Sequence, residues 1–203
     1  MSWIDAQKLE KEWWGACSNT FGEELKQTVY AKYMGLQFYD DGNSPLNIDK
    51  SGLKIIDIGG GPVSLLLKTK ADIKVVVDPC GYPGWVRLRY IDAGILLEQK
   101  PAEDIPEDYE KFDEVWCYNC LQHVVDPEKI VYNMKRIGKV IRLFEWINHP
   151  INEAHPHELT AEKLDKWLNG KGTVVEINEK GCVGKCYYGE FNTGQSDGRS
   201  AVS

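Results

Sequence analysis

A chain of 203 residues, 42% hydrophobic and 27% charged, has the size and balance of one globular domain that can cover both faces of a sheet with helices. Its formal net charge of −7 argues against a surface built for nucleic acid, which needs clustered Lys and Arg, and no apolar run approaches the roughly 20 residues that span a bilayer. The first residues, Met1-Ser2-Trp3-Ile4-Asp5, run into an alternating charged segment and not a secretory signal, so the expectation is a cytoplasmic protein with reduced, buried cysteines.

Residues 1–52 are dense in aromatics: Trp3, Trp13, Trp14, Phe21, Tyr30, Tyr33, Phe38 and Tyr39. Ser2 with Asp5 forms a capping-box pattern, and Leu25, Val29, Tyr33 and Leu36 recur at helical spacing, which predicts two helices. Such a segment covers a sheet edge, or it forms a lid in which Trp13, Trp14 or Tyr30 lines a substrate site, because covers and binding sites both favour aromatics. Asp40-Asp41-Gly42-Asn43-Ser44-Pro45 then reads as a loop by its turn chemistry.

The stretch that organises the chain is Leu53-Lys54-Ile55-Ile56-Asp57-Ile58-Gly59-Gly60-Gly61-Pro62-Val63-Ser64. Lys54 to Ile58 reads as a buried strand, the glycines as a tight turn that a ligand can approach, and Val63 to Leu67 as a helix presenting its positive end. Asp57 lies two residues before the first glycine. Asp78 ends the next strand, Ile73 to Val77, about 20 residues on, where an acid can accept hydrogen bonds from ribose hydroxyls.

Strands and helices alternate from there, the pattern of a parallel sheet with right-handed crossovers. The predicted elements are a helix over Gly84 to Asp92, a short strand over Ile95 to Glu98 and a strand over Phe112 to Asn119. Asp126 caps a helix that has Pro127 in its first position and runs to about Arg136, and Val140 to Trp146 is strand five. His149 to His157, with three histidines and two prolines, reads as a loop over the mouth of a site, where a His can act as a base. Neither this loop nor Cys117-x-x-Cys120 with Cys182-x-x-x-Cys186 offers ligand spacing on one element, so no metal site is expected. Thr160 caps a helix with Leu164, Trp167 and Leu168 turned inward, Thr173 to Ile177 and Cys182 to Phe191 form a hairpin, and the polar tail from Asn192 is loosely held.

Asp57-x-Gly59-x-Gly61 resembles motif I of the class I S-adenosylmethionine-dependent methyltransferases. The dinucleotide fingerprint fits less well, since its third glycine would fall at Ser64 and it asks for no acid at Asp57. Ala102 to Pro106 is similar to the segment after the third strand in that family, but Pro101 replaces the usual Asp, which leaves Glu103 to meet an adenine amino group. Phe112-Asp113 opens strand four as in the family, and Leu121-Gln122-His123-Val124-Val125-Asp126-Pro127 resembles the stretch that follows it in small-molecule methyltransferases. The resemblance spans residues 53–191. It implies a three-layer α/β, Rossmann-like methyltransferase fold with a mostly parallel seven-stranded sheet and a C-terminal antiparallel hairpin. Residues 1–52 are then a cover or lid, 53–191 the core and 192–203 a tail, in one domain overall.

The resemblance further implies S-adenosyl-L-methionine as cofactor. Asp57, Gly59, Gly60 and Gly61 attend its methionine part, Asp78 the ribose, Ala102 and Glu103 the adenine, and Asn119 and Cys120 border it at the end of strand four. His123 is the candidate proton acceptor. The expected chemistry is methyl transfer to a small, partly apolar acceptor, with no membrane or nucleic-acid partner. Two alternatives stand beside it: a binding or scaffold protein on the same fold, and a methyltransferase acting on protein or RNA.

Overall fold

The computed structural model describes residues 7–9, 11–13, 17–42, 44 and 46–194. The capping box at Ser2 and Asp5, the lid candidate Trp14 and nearly all of the polar tail lie outside them. The strands are β1 (Ile48–Ile58), β2 (Thr69–Val77), β3 (Leu96–Glu98), β4 (Phe112–Tyr118), β5 (Gly138–Trp146), β6 (Thr173–Glu179) and β7 (Cys182–Asn192). They form one sheet in the order β3-β2-β1-β4-β5-β7-β6, with β1 to β5 parallel and β7 antiparallel to both its neighbours. This is the sheet the sequence led us to expect. Chain order reverses between β1 and β4, and at such a switch point the crossovers leave to opposite faces and open a crevice at the strands' carboxyl ends.

Helices α3 (Pro127–Ile137) and α4 (Ala161–Leu168) contribute Ile130, Met134 and Leu164 to a core with Ile56, Ile58, Val115 and Leu143. Helices α1 (Cys17–Tyr33) and α2 (Gly84–Asp92) contribute Tyr30 and Tyr90 to a second core with Ile55, Val76, Trp116 and Phe144. Strands buried on both faces carry apolar residues without alternation, which is why Ile55, Ile56 and Ile58 read as one run. Cys117 and Cys120 belong to the first core and Cys182 and Cys186 to the second, all four free and buried, so the two pairs do not meet. Local signals hold well: Asp126 Oδ1 accepts from the Lys129 N–H at 3.0 Å with Pro127 in the first turn, and Thr160 Oγ1 accepts from the Lys163 N–H at 3.3 Å.

Three expectations change. The helix predicted over Val63 to Leu67 is a single 3-10 turn, Leu65–Lys68, after which β2 starts at once. The connection is too short for a helix to leave the sheet and return, and Ser64 Oγ accepts from the Leu66 N–H at 3.0 Å to close the one turn that fits. Strand β1 begins at Ile48, ahead of Lys54, because Ile48 to Lys50 already pair with Thr69 to Ala71 across a register shift; the polar Asp49-Lys50-Ser51-Gly52 hid this extension. In α1 Gln27, Val29, Tyr30 and Ala31 are buried, so Val29 of the expected stripe faces the core, as does Leu36 beyond the helix, but Leu25 is 54% exposed. Tyr30 sets that rotation by packing its ring against Tyr118 and Phe144, with centroids 5.4 and 5.0 Å away.

Helix α1 therefore covers the space that a longer crossover would fill, and it shares its core with the buried Leu65 and Leu66. It is tied to its surroundings at several points. Gln27 Nε2 donates to the Val63 carbonyl, Arg89 of α2 pairs with Glu24 at 2.5 Å, and Lys180 donates to Thr28 Oγ1 at 3.0 Å.

Candidate active site

The glycine turn is held by buried polar side chains. Asp57 is fully buried, and its Oδ2 accepts from Ser64 Oγ at 2.6 Å and from the Tyr118 hydroxyl at 2.9 Å. The Tyr118 oxygen in turn accepts from the Leu65 N–H at 2.8 Å. Tyr90 works from the other side, donating to the Gly61 carbonyl and accepting from the Ser64 N–H at 3.1 Å. Burial pushes the Asp57 carboxyl up to about 7, the Ser64 and Tyr118 hydrogen bonds oppose this, and the Asp78 charge adds to it.

Two of the three glycines could not carry a side chain without displacing this arrangement. A Cβ on Gly59, which sits at φ +70°, would lie 2.2 Å from Cys120 Sγ, and one on Gly60 would lie 2.7 Å from Asp57 Oδ2. Gly61, at φ +62°, faces open space. Asp78 closes the turn from β2: its Oδ2 accepts from the Gly61 N–H at 3.0 Å, and its Oδ1 accepts from the Cys80 N–H at 2.9 Å and the Tyr82 hydroxyl at 3.0 Å.

A cavity of about 610 Å³ lies over the carboxyl ends of β1, β2 and β4. Gly59, Gly61, Asp78, Ala102, Glu103, Asn119, Cys120, His123 and Trp13, all singled out from the sequence, line it together. Asp57 does not; it lies beneath the turn and shapes it. Gly60 and Tyr30 border a smaller recess beside the same turn. Tyr30 is fully buried and donates to Glu23 Oε1 at 2.6 Å, so its ring belongs to the core. Glu103 Oε1 accepts from the Val125 and Asp126 N–H groups at 2.9 and 3.1 Å and so fastens the segment leading into α3 to the cavity edge.

The end of β4 is set by a residue the sequence reading passed over. Glu145 of β5 is fully buried; its Oε1 accepts from the N–H groups of Cys120 and Leu121 at 3.1 and 3.0 Å, and the Cys117 thiol lies 3.6 Å away. Burial pushes its carboxyl up to about 7. The signal in the sequence was an acid inside the apolar run Leu143-Phe144-Glu145-Trp146. Asn119, left-handed at φ 51°, accepts from Gln122 Nε2 at 3.1 Å through its Oδ1.

Histidines occupy the far end. A carbonyl only accepts, so His123 carries its proton on Nδ1 and donates it to the Ala154 carbonyl at 2.8 Å, leaving Nε2 to accept from Gln122 Nε2 at 3.2 Å. Burial holds its pKa below the ordinary histidine value, so the ring is neutral. His155 meets it edge to face with centroids 4.7 Å apart. The Asn152 amide oxygen accepts from the Ala154 and His155 N–H groups at 2.9 and 3.0 Å, which turns its NH2 toward His155 Nδ1 at 3.1 Å and leaves the His155 proton on Nε2. Burial, then the neighbouring His123 and His149, lower the His155 pKa to about 4. His149 stands edge-on to Trp146 with centroids 6.3 Å apart and, among the described residues, makes no hydrogen bond. His149, His155 and Trp146 all line the cavity.

Comparison with known proteins places this geometry. Residues 56–140 match a family model described as a methyltransferase domain. Over 95 residues the chain is 32% identical to a ubiquinone biosynthesis O-methyltransferase of Pseudomonas syringae pv. tomato, a match covering 44% of this chain and 41% of that protein. Among solved structures, the N-methyltransferase NodS of Bradyrhizobium japonicum in complex with S-adenosyl-L-homocysteine aligns with a TM-score of 0.68 at 11% identity, over 94% of this chain and 100% of that one. The magnesium protoporphyrin IX methyltransferase of Synechocystis, with bound S-adenosylmethionine, aligns with a TM-score of 0.57 at 11% identity, over 92% and 97%. Among the described residues no helix is long and apolar enough to cross a membrane.

Proposed function

We propose that the chain is a class I S-adenosylmethionine-dependent methyltransferase, a reading supported by the methyltransferase-domain match over residues 56–140 and by the fold, and that it transfers the methyl group to a small, partly apolar acceptor. The observation that carries this reading is the continuity of the cavity from the glycine turn and Asp78 to Trp13, Trp146 and the histidines, in a volume of about 610 Å³. Small-molecule sites occupy about 300–1,000 Å³.

The residues present fit the cofactor. A Cβ on Gly59 would collide with Cys120, so backbone lines the floor there and can be approached closely. The Asp78 carboxylate, held at the cavity wall by the Gly61 and Cys80 N–H groups and the Tyr82 hydroxyl, stands where a charged acceptor can meet ribose hydroxyls. Ala102, Val124 and Ile130 offer an apolar slot for a flat base, and Glu103 stands at its edge. When bound, the cofactor supplies a methyl group already activated by a positive sulfur.

What remains for the protein is to orient an acceptor and keep water out. Trp13 and Trp146 supply apolar wall, while the His155 Nε2–H donates to an acceptor atom. His149, with no hydrogen bond of its own, is the group best placed to take its proton. His123, expected from the sequence to do so, has both ring nitrogens engaged and holds the loop around Ala154 instead. The single-site test is isothermal titration with S-adenosylhomocysteine, followed by a methyl-transfer screen over small hydroxyl and amine acceptors with aromatic or aliphatic bodies. Micromolar binding with turnover of such acceptors is expected; no binding would overturn the reading, and turnover of protein or RNA alone would move the acceptor class.

A further inference from the structure

The walls of the cavity carry formal charges of both signs at one place only. Among its described lining residues Lys26 is the sole lysine or arginine, and it stands on α1 one turn from Glu23, with Nζ 2.9 Å from Glu23 Oε2. Glu23 also borders the recess beside Gly59, Gly60 and Gly61, so the acid end of the pair reaches the glycine turn while both partners line the cavity. Its carboxylate is fixed from behind by the buried Tyr30 hydroxyl at 2.6 Å, and its side chain is only 14% exposed against 33% for Lys26. Of the other acids in the wall, Asp78 is bound to the Gly61 and Cys80 N–H groups on the β2 side of the turn and Glu103 to the Val125 and Asp126 N–H groups farther along the rim, while the one lysine among the described lining residues pairs with Glu23. Two of the three wall histidines, His123 and His155, are held neutral by burial and offer an anion no charge.

An isolated surface ion pair of this kind contributes little and needs no ligand to explain it. This pair is half-buried, its acid is locked in place, and it brings a positive charge beside a negative one to a wall whose other fixed charges are acids. A free amino-acid group carries the complementary pair: one carboxylate and one ammonium on the same carbon. We infer that Glu23 and Lys26 clamp the amino-acid end of the cofactor, Lys26 taking its carboxylate and Glu23 its ammonium, so that α1 is a cofactor-binding element and not solely a cover or an acceptor lid. The inference rests on the methyltransferase reading above. It uses binding alone and involves no chemical step.

Two ligands separate the clamp from the rest of the site. S-adenosylhomocysteine carries the amino-acid group; methylthioadenosine keeps the adenosine and the thioether sulfur and lacks it. In the full chain, Lys26→Ala should weaken S-adenosylhomocysteine about ten- to a hundredfold, the usual effect of losing one charge-assisted hydrogen bond, and leave methylthioadenosine within about twofold. Glu23→Gln should show the same selectivity with a smaller loss. Retained methylthioadenosine binding also reports that each variant is folded. Equal losses for both ligands, or none for either in Lys26→Ala, would overturn the clamp while leaving the methyltransferase reading intact. Wild-type protein that binds neither ligand would overturn both.

Discussion

The two ends of the cavity are built on opposite principles. At the glycine turn the floor of the cavity is backbone, and the side chains that brace it, Asp57, Tyr90, Tyr118 and Glu145, are buried behind it with their hydrogen bonds directed at main-chain groups and at one another. At the far end the surface is side chain: Trp13 ahead of α1, Trp146 at the end of β5, and His149 and His155 in the segment that follows. The difference teaches where each function can vary. A backbone surface braced from behind tolerates almost no substitution and binds one constant ligand, whereas a side-chain surface on loops can be changed residue by residue to suit an acceptor.

The comparison can be broken most sharply at Gly59. Gly59→Val should abolish S-adenosylhomocysteine binding, at a cost of at least about 3 kcal/mol, because a branched side chain at φ +70° is strained and its Cβ would meet Cys120 Sγ at 2.2 Å. Calorimetry that found normal affinity would mean the turn is not the ligand floor. Asp78→Ala should cost about 1.5–3 kcal/mol of affinity through the lost charged acceptor, together with a lower melting temperature from the freed Gly61 and Cys80 N–H groups. Equal affinity in a folded variant would remove Asp78 from the site.

A smaller effect sits behind the turn. Asp57 and Glu145 are each pushed up to about 7 by burial, from ordinary values of 3.8 and 4.5. Between those values the folded chain binds more protons than the unfolded one, so these groups make stability fall as pH rises through that window and level off above it. Asp57→Asn and Glu145→Gln should each flatten the slope by at most about 1.4 kcal/mol per pH unit, read from urea midpoints across pH 4 to 8. An unchanged slope would show that neither carboxyl takes up a proton on folding. The smallest expected change sharpens the contrast from the other side: His149→Ala should leave S-adenosylhomocysteine affinity within about twofold while lowering turnover at least about tenfold. Loss of cofactor affinity in that variant would mean the two ends are not separable.

Much of the fold was legible because it is carried by local rules. Uninterrupted apolar runs gave the central strands, Asp126-Pro127 and Thr160 gave helix starts, and the acid-glycine spacing located the switch point. The length of the β1–β2 connection was not, since Val63 to Leu67 has helical composition and only the position of the next strand denies it a second turn. The rotation of α1 depended on Tyr30 finding Tyr118 and Phe144, partners far away in sequence. At the site, Gly59, Asp78 and Asn119 carry a positional signature, whereas the polar side chains that brace or face the turn from elsewhere in the chain, Tyr90, Glu145, Glu23 and Lys26, carry none that spacing could reveal.

The single turn between β1 and β2 has a consequence for dynamics. Because α1 seals the sheet over Leu65 and Leu66 and also walls the cavity, opening the helix exposes both the core and the ligand. Any ligand held against α1 therefore adds its binding free energy to the local opening free energy of that helix. Amide protons of Gln27 to Ala31 should exchange more slowly in proportion to ligand concentration, and proteases should lose their access to the same segment. In this fold occupancy of the site and integrity of one face of the core become a single measurable quantity.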